Sequence, residues 1–172
     1  GAIKQWVVLA PIAFAGGSSA AALDQEQISA EAQLRARAEE RVKVGQREWI
    51  WQAVQLQDYV LDFNALSGGV TEWSVAYAVC YIQSSADQNG LLMKVGSDDQ
   101  AKVYLNGREI YRRGEWRPYV PDADVVAGVE LKAGLNVLLF KVVNESRNWQ
   151  GSVRFTDKDG NPVNGIKVTL TP

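Results

Sequence analysis

The sequence predicts an all-β chain folded as an antiparallel β-sandwich, with one surface helix near the N-terminus. Three observations lead there. Short runs of strand-forming residues recur with turn signals between them. Two such runs are joined by Asn106-Gly107, the dipeptide that supplies positive φ at both centres of a tight hairpin turn. After the first quarter of the chain no stretch has the length and period of a crossover helix, which removes a parallel α/β sheet.

Taken in order, residues 4–9 read as the first strand, with Trp6 and Val8 on one face and Pro11 as its end. Residues 15–22 are small and include a Gly-Gly pair, so they read as a flexible loop. Asp24 is placed as an N-cap with Gln27 as its capping-box partner. Residues 25–40 are rich in Ala, Glu, Gln and Arg and read as the surface helix, with Ile28, Ala32 and Leu34 as a thin apolar stripe. Glu31 and Arg35 stand at helical ion-pair spacing. Gly45 closes that region. Residues 48–54 form a strand with Trp49 and Trp51 on one face.

Residues 55–65 are mixed, and Ser67-Gly68-Gly69 marks a loop. Residues 73–82 make a long strand, 84–90 a polar turn and 91–95 the next strand. The stretch 96–107 then opens with a polar turn carrying Asp98 and Asp99. It continues as a strand with Ala101, Val103 and Leu105 on one face and Lys102, Tyr104 and Asn106 on the other. Residues 108–111 return, and 112–124 form a long loop carrying Trp116 and Tyr119. Residues 125–131 resume strand character. Residues 135–143 are apolar on both faces, so that strand should be covered on both sides. Residues 149–156 place Val153 and Phe155 inward, and 166–170 add an edge strand.

A chain of 172 residues suits a single domain over 1–172, and Gly1 reads as the cut end of a unit taken from a longer protein. A net charge of -2 argues against a nucleic-acid partner. The chain has no histidine, which removes Ser-His-Asp and Cys-His catalysis and imidazole metal ligands. Its one cysteine, Cys80, lies in the long strand of 73–82 and reads as a small core hydrophobe, with a reactive thiol as the alternative. The N-terminal apolar run is too short for a signal sequence and Pro11 interrupts it. No segment reaches the apolar length of a membrane span.

Four stretches carry a family likeness. Trp6-Val7-Val8-Leu9-Ala10-Pro11 is similar to a W-x-x-L-G-P-F start, with Ala10 in place of glycine. Residues 96–107 resemble G-S-D-D-G-x-K-V-W-L-N-G, with Gln100 for the glycine and Tyr104 for the tryptophan. Residues 122–140 resemble D-x-V-x-V-x-L-K-A-G-x-N-x-L-L-x-K, and 149–159 resemble W-G-F-x-L-R-x-T-D-x-D-G. Together these resemble the galactose-binding-like jelly-roll modules of bacterial secreted and envelope proteins, as in the sugar-binding domain of family-two glycoside hydrolases. The Asp-Asp turn is similar to that of protective-antigen-type lectin domains. The resemblance implies an extracellular or periplasmic accessory module, and it spans nearly the whole chain, with least agreement over 15–55.

Asp98 and Asp99 lead the candidate site. The resemblance implies calcium between them, an ion that takes oxygen ligands and could then hold sugar hydroxyls. The plainer reading has both acids capping their own turn through local amides. Adjacent residues do not face each other across a cleft about 5 Å wide, as a retaining glycosidase requires, so catalysis at this pair is discounted. Trp116, Tyr119 and Trp149 are the candidate aromatic platforms, with Arg112, Arg117 and Asn148 as polar neighbours. Tryptophan in a sandwich more often serves the core. The basic residues Arg108, Arg112, Arg113 and Arg117 suit an acidic polysaccharide or an acidic neighbouring domain, or are simply solvated among Glu109 and Glu115.

The expected function is a non-catalytic carbohydrate-binding module that meets glycan through loops at one end of the sandwich. Its ligand contacts would be Asp98, Asp99, Trp116, Arg117, Tyr119 and Trp149. The alternative is a docking domain of a larger multidomain enzyme with no ligand of its own. A third reading, a hydrolase built on Asp58, Asp62 or Glu72, lacks any recognisable catalytic motif.

Overall fold

The computed structural model describes residues 1–14 and 17–172. Antiparallel strands form two main sheets. The larger runs β4 (Gln52–Gln55), β1 (Gln5–Ala13), β6 (Ser74–Ser84), β11 (Gly134–Asn144), β8 (Ala101–Leu105) and β9 (Arg108–Arg113), and β13 (Ile166–Thr169) pairs with the far end of β6. The smaller runs β10 (Asp124–Leu131), β7 (Gln88–Asp98), β12 (Gln150–Thr156) and β5 (Leu61–Asp62). A separate hairpin joins β2 (Arg41–Val44) to β3 (Arg47–Ile50).

The core between the sheets follows from alternation. Ala101, Val103 and Leu105 point inward and meet Met93, Val95, Val153 and Phe155 from the smaller sheet. Phe140 and Trp6 lie in the same cluster, their rings 6.2 Å apart. Asn106 and Gly107 both take positive φ, +52° and +81°, so the hairpin turn is of the type the dipeptide specifies. Cys80 is fully buried, and burial alone pushes its thiol pKa up, as befits a core residue. β11 is buried along both faces, as its composition requires.

Its second face is covered by a third layer formed by residues 19–51. Val75, Tyr77, Val79 and Tyr81 of β6 and Leu139 and Val143 of β11 pack there against Leu23, Ile28, Ala36 and Trp51. This layer is where local propensity misleads. The helix is α1 (Ser19–Asp24), capped by Ser18, which accepts from the Ala21 N–H at 3.1 Å; Asp24 ends it rather than starting it. The expected loop over 15–22 is therefore helical from Ser19, while Ala15 and Gly16 lie outside the described residues.

Residues 25–40 form no helix beyond one 3-10 turn, Glu31–Gln33. Polar side chains on the sheet hold this segment open. The Tyr77 hydroxyl accepts from the Gln27 N–H at 3.1 Å, Lys141 Nζ donates to the Gln25 carbonyl at 2.7 Å, and the Tyr81 hydroxyl donates to the Ala36 carbonyl at 2.7 Å. An extended chain advances about 3.3 Å per residue against 1.5 Å in a helix, so it covers more of the sheet with the same few apolar side chains. Glu31 is buried against Lys141 and makes no helical pair with Arg35.

Two smaller differences concern where strands end. Pro11 does not end β1, because the pairing with β6 shifts between Leu9 and Ile12 and the strand runs on to Ala13. The expected strand over 48–54 is split at Trp51, whose N–H and carbonyl bond Glu40 and Glu39 while β3 and β4 pair in different sheets.

Candidate functional site

Strand alternation brings a row of polar side chains to one rim. Val95 and Val153 are register partners in the inter-sheet core. Their neighbours therefore alternate to the outer face of the smaller sheet, where Gly96 pairs with Ser152 and Asp98 with Gln150. Gln150 also pairs with Asp62 on β5. Asp98, Gln150 and Asp62 thus form a row across three strands at the end where the 62–73, 98–100, 114–123 and 144–149 loops emerge.

Beside that row is a shallow cleft of about 460 Å³, lined by Asp62, Asn64, Ala65, Gly69, Val70, Asn148, Trp149 and Gln150. Its wall is built by α2 (Phe63–Ser67). Asp62 caps this helix, its Oδ1 accepting from the Ala65 N–H at 3.0 Å, and Gly68 ends it in the left-handed conformation. Asn64 ties the loop down, donating to the Arg147 carbonyl at 2.6 Å and accepting from the Thr71 N–H at 3.1 Å.

Asp99 is fully buried and Asp98 is 7% exposed. Neither caps its own turn. Asp99 Oδ2 accepts from the Glu145 N–H at 2.8 Å, and Asp98 accepts from the backbone of Tyr119, so the pair ties two distant loops to the turn. The two carboxyls are neighbours in sequence, and each bears on the other's titration. Burial is the main cause that raises both pKa values, and Asp99 is pushed up to about 7.

That shift has a measurable consequence. An unfolded aspartate titrates near 3.9. Between about pH 4 and pH 7 the folded chain therefore binds more protons than the unfolded chain, and stability falls as pH rises through that window. The melting temperature is expected to climb as pH is lowered from 8 to 5, and Asp99→Asn to flatten the rise. Melting curves across that range check it; an unchanged slope in the variant defeats the assignment.

The donor chemistry of the turn suits calcium in kind. Asp99 Oδ1 and Asn144 Oδ1 are buried oxygens without a hydrogen-bond partner, on residues that flank the same Asp99–Glu145 contact. Among the described residues no three His, Cys, Asp or Glu side chains gather as a metal site, so amide oxygens would have to complete the set.

The other expected contacts fare differently. Trp149 is fully buried and its ring packs 5.1 Å from that of Phe63, so it is a core residue with no face left for a sugar. Arg117 is an internal clamp: it donates to the Ser97 carbonyl at 3.1 Å and to the Tyr111 hydroxyl at 3.2 Å, and pairs with Asp124 at 2.7 Å. Tyr119 lies over Gly96, where a Cβ would meet its ring at 2.9 Å, and donates to Ser152 at 2.9 Å. Trp116 is 62% exposed.

Arg112 pairs with Asp24 and Glu109, and Arg113 with Glu115, so these arginines are matched by nearby acids. Asp58 accepts from the Val60 N–H at 2.9 Å and, like Asp62, serves a local turn. Nothing in the sequence singles out Gln150, which lines the cleft. It is legible only through its register partners Asp62 and Asp98.

No protein-family model and no curated protein sequence matches the chain. Among solved structures, the chain is similar to a family 35 carbohydrate-binding module from an environmental isolate. The two share 20% identity with a TM-score of 0.40, over 60% of this chain and 80% of the other. The sandwich assignment stands on the strand pairing described above.

Proposed function

We propose that the chain is a non-catalytic carbohydrate-binding module whose ligand site is the rim cleft beside Asp98, Gln150 and Asp62. The observation that carries this reading is the cleft's lining. Asn148 and Gln150 make no side-chain hydrogen bond among the described residues, so their amides are free to pair with hydroxyls, and Val70, 71% exposed, offers an apolar surface beside them. Polar groups of this kind next to apolar surface match a sugar ring, which has hydroxyls on its edge and C–H groups on its face. Asp58 and Asp62 are engaged by backbone N–H groups, which supports binding over hydrolysis.

Calcium would be held by Asp98 and Asp99, with Asn144 as the amide donor, and would supply positive charge to a buried acid pair. A role in glycan capture places the module outside the cytoplasm, on a secreted or envelope protein. No described helix is long and apolar enough to cross a membrane. A second reading, a docking domain of a larger enzyme, draws on Trp116, Val120 and Val125, exposed apolar residues on the β9–β10 loop and the start of β10.

The test is a glycan array followed by titration of the best binder with and without calcium. Saccharide binding lost in the Asn148→Ala/Gln150→Ala double variant is expected. Absence of binding to every glycan, in both conditions, removes the reading and leaves docking.

A further inference from the structure

We infer that a second pocket, at the end of the sandwich opposite the rim, binds a small organic carboxylate through Arg35, Lys132 and an apolar floor. The inference does not depend on the rim reading.

The pocket has a volume of about 230 Å³. Three segments that are remote in sequence meet there: residues 32–35 of the third layer, the β8–β9 turn and the β10–β11 turn. At about 3.3 Å per residue along β11, Val137 in this pocket lies about 23 Å from Asn144 at the rim. The Asp98–Asp99 turn and Asn106 likewise stand at opposite ends of β8.

The frame of the pocket is fixed by side-chain amides. Asn136 is fully buried, accepts from the Lys132 N–H at 2.9 Å and donates to the Lys132 carbonyl at 2.8 Å. Asn106 donates to Asn136 at 2.9 Å and accepts from the Val137 N–H at 2.8 Å, so the two turns are locked to each other. Gly107, at φ +81°, lets the third layer come close: a Cβ there would meet the Gln33 amide nitrogen at 2.5 Å.

The lining divides into two kinds of group. Leu34, Leu135 and Val137 supply apolar surface. Arg35, Lys132 and the Gln33 amide supply donors, and no acidic residue lines the pocket. Among the described residues Arg35 makes no ion pair, and neither it nor Gln33 makes a side-chain hydrogen bond. Lys132 meets Glu130 at 3.5 Å, an exposed contact that gives way readily to another anion. A guanidinium presents paired donors that match a carboxylate, and the aliphatic walls suit a hydrocarbon body behind it. The volume limits that body to about one ring.

The probes are benzoate, its neutral counterpart benzamide, glucuronate and inorganic phosphate, each titrated at low salt into the isotope-labelled, unaltered chain and followed by backbone amide shifts. Benzoate is expected to move the amides of Gln33, Gly107 and Lys132 and to leave those of Asp62 and Gln150 in place. It should bind at least ten-fold more tightly than benzamide, and more tightly than glucuronate or phosphate, and should weaken several-fold as salt is raised. Arg35→Gln and Lys132→Gln replace exposed side chains. Each is expected to keep the melting temperature and to weaken benzoate binding about three- to five-fold.

Equal binding of benzoate and benzamide overturns the role of charge. Tighter binding of phosphate or glucuronate overturns the apolar body, the first pointing to a charged surface alone and the second to a sugar acid. Unchanged affinity in both variants overturns the assignment to Arg35 and Lys132. Shifts confined to residues 62–70 and 148–150 overturn this pocket and leave the rim reading standing. Absence of saturable binding overturns the inference outright, whatever the glycan array shows.

Discussion

Phe140→Asp is expected to yield no folded protein. The Phe140 side chain is fully buried between the sheets, against Trp6 and over Gly151, where a Cβ would meet the Phe140 ring at 2.5 Å. Position 140 lies on the strand that pairs with both β6 and β8, so a carboxylate there has neither water nor a partner. The lost apolar contact adds about 3–5 kcal/mol, the usual cost of truncating a buried phenylalanine, and a domain's whole stability is about 5–15 kcal/mol. The soluble fraction after expression, with a thermal melt, checks this. A soluble variant with an unaltered melt would mean that the register of β11 is wrong. Val103→Asp, one strand away at the paired position, should fail in the same manner.

Glu31→Ala is expected to be the most damaging single change outside the inter-sheet core. Lys141 Nζ is fully buried on the other face of the same strand, 2.8 and 3.1 Å from the two Glu31 oxygens. Tyr77 donates to Glu31 at 2.6 Å and Tyr104 at 3.1 Å. Burial lowers the Lys141 pKa while Glu31 holds it up. Removing the carboxylate leaves a buried ammonium with the Gln25 carbonyl as its hydrogen-bond partner and the Tyr77 ring 5.4 Å away, neither of which carries a negative charge.

Breaking one half of such a pair costs about 3–5 kcal/mol, a drop of roughly 6–20 °C in melting temperature for a chain of this size. The double variant Glu31→Leu/Lys141→Met should recover most of that loss, because it removes both charges and their desolvation together. Denaturant melts of the three chains decide it. A Glu31→Ala chain as stable as the unaltered one rules out the buried pair.

How much of this was legible beforehand depends on the kind of signal. The β8–β9 hairpin was plain because Asn106-Gly107 encodes its own backbone angles, and alternation told which of Lys102 and Val103 faced the core. β11 declared itself by being apolar on both faces, which already required a layer on each side. The nature of the second layer was hidden. Residues 25–40 carry strong helix formers, yet Lys141, Tyr77 and Tyr81 offer hydrogen bonds that suit an open course, and those partners lie 45 or more residues away.

The site divides along the same line. Asp98 and Asp99 were identifiable as a pair, but not as a tie between the 144–149 and 114–123 loops. Nothing local distinguishes Trp149, which is core, from Trp73, which is exposed.

Pattern within a few residues was enough for the strands, their faces and the tight turn, since alternation and turn angles are local properties. Which tryptophan meets solvent, which acid loses its water and which segment lies flat on the sheet were settled only once remote strands had paired. Burial is a property of the assembled layers, and no residue carries it alone.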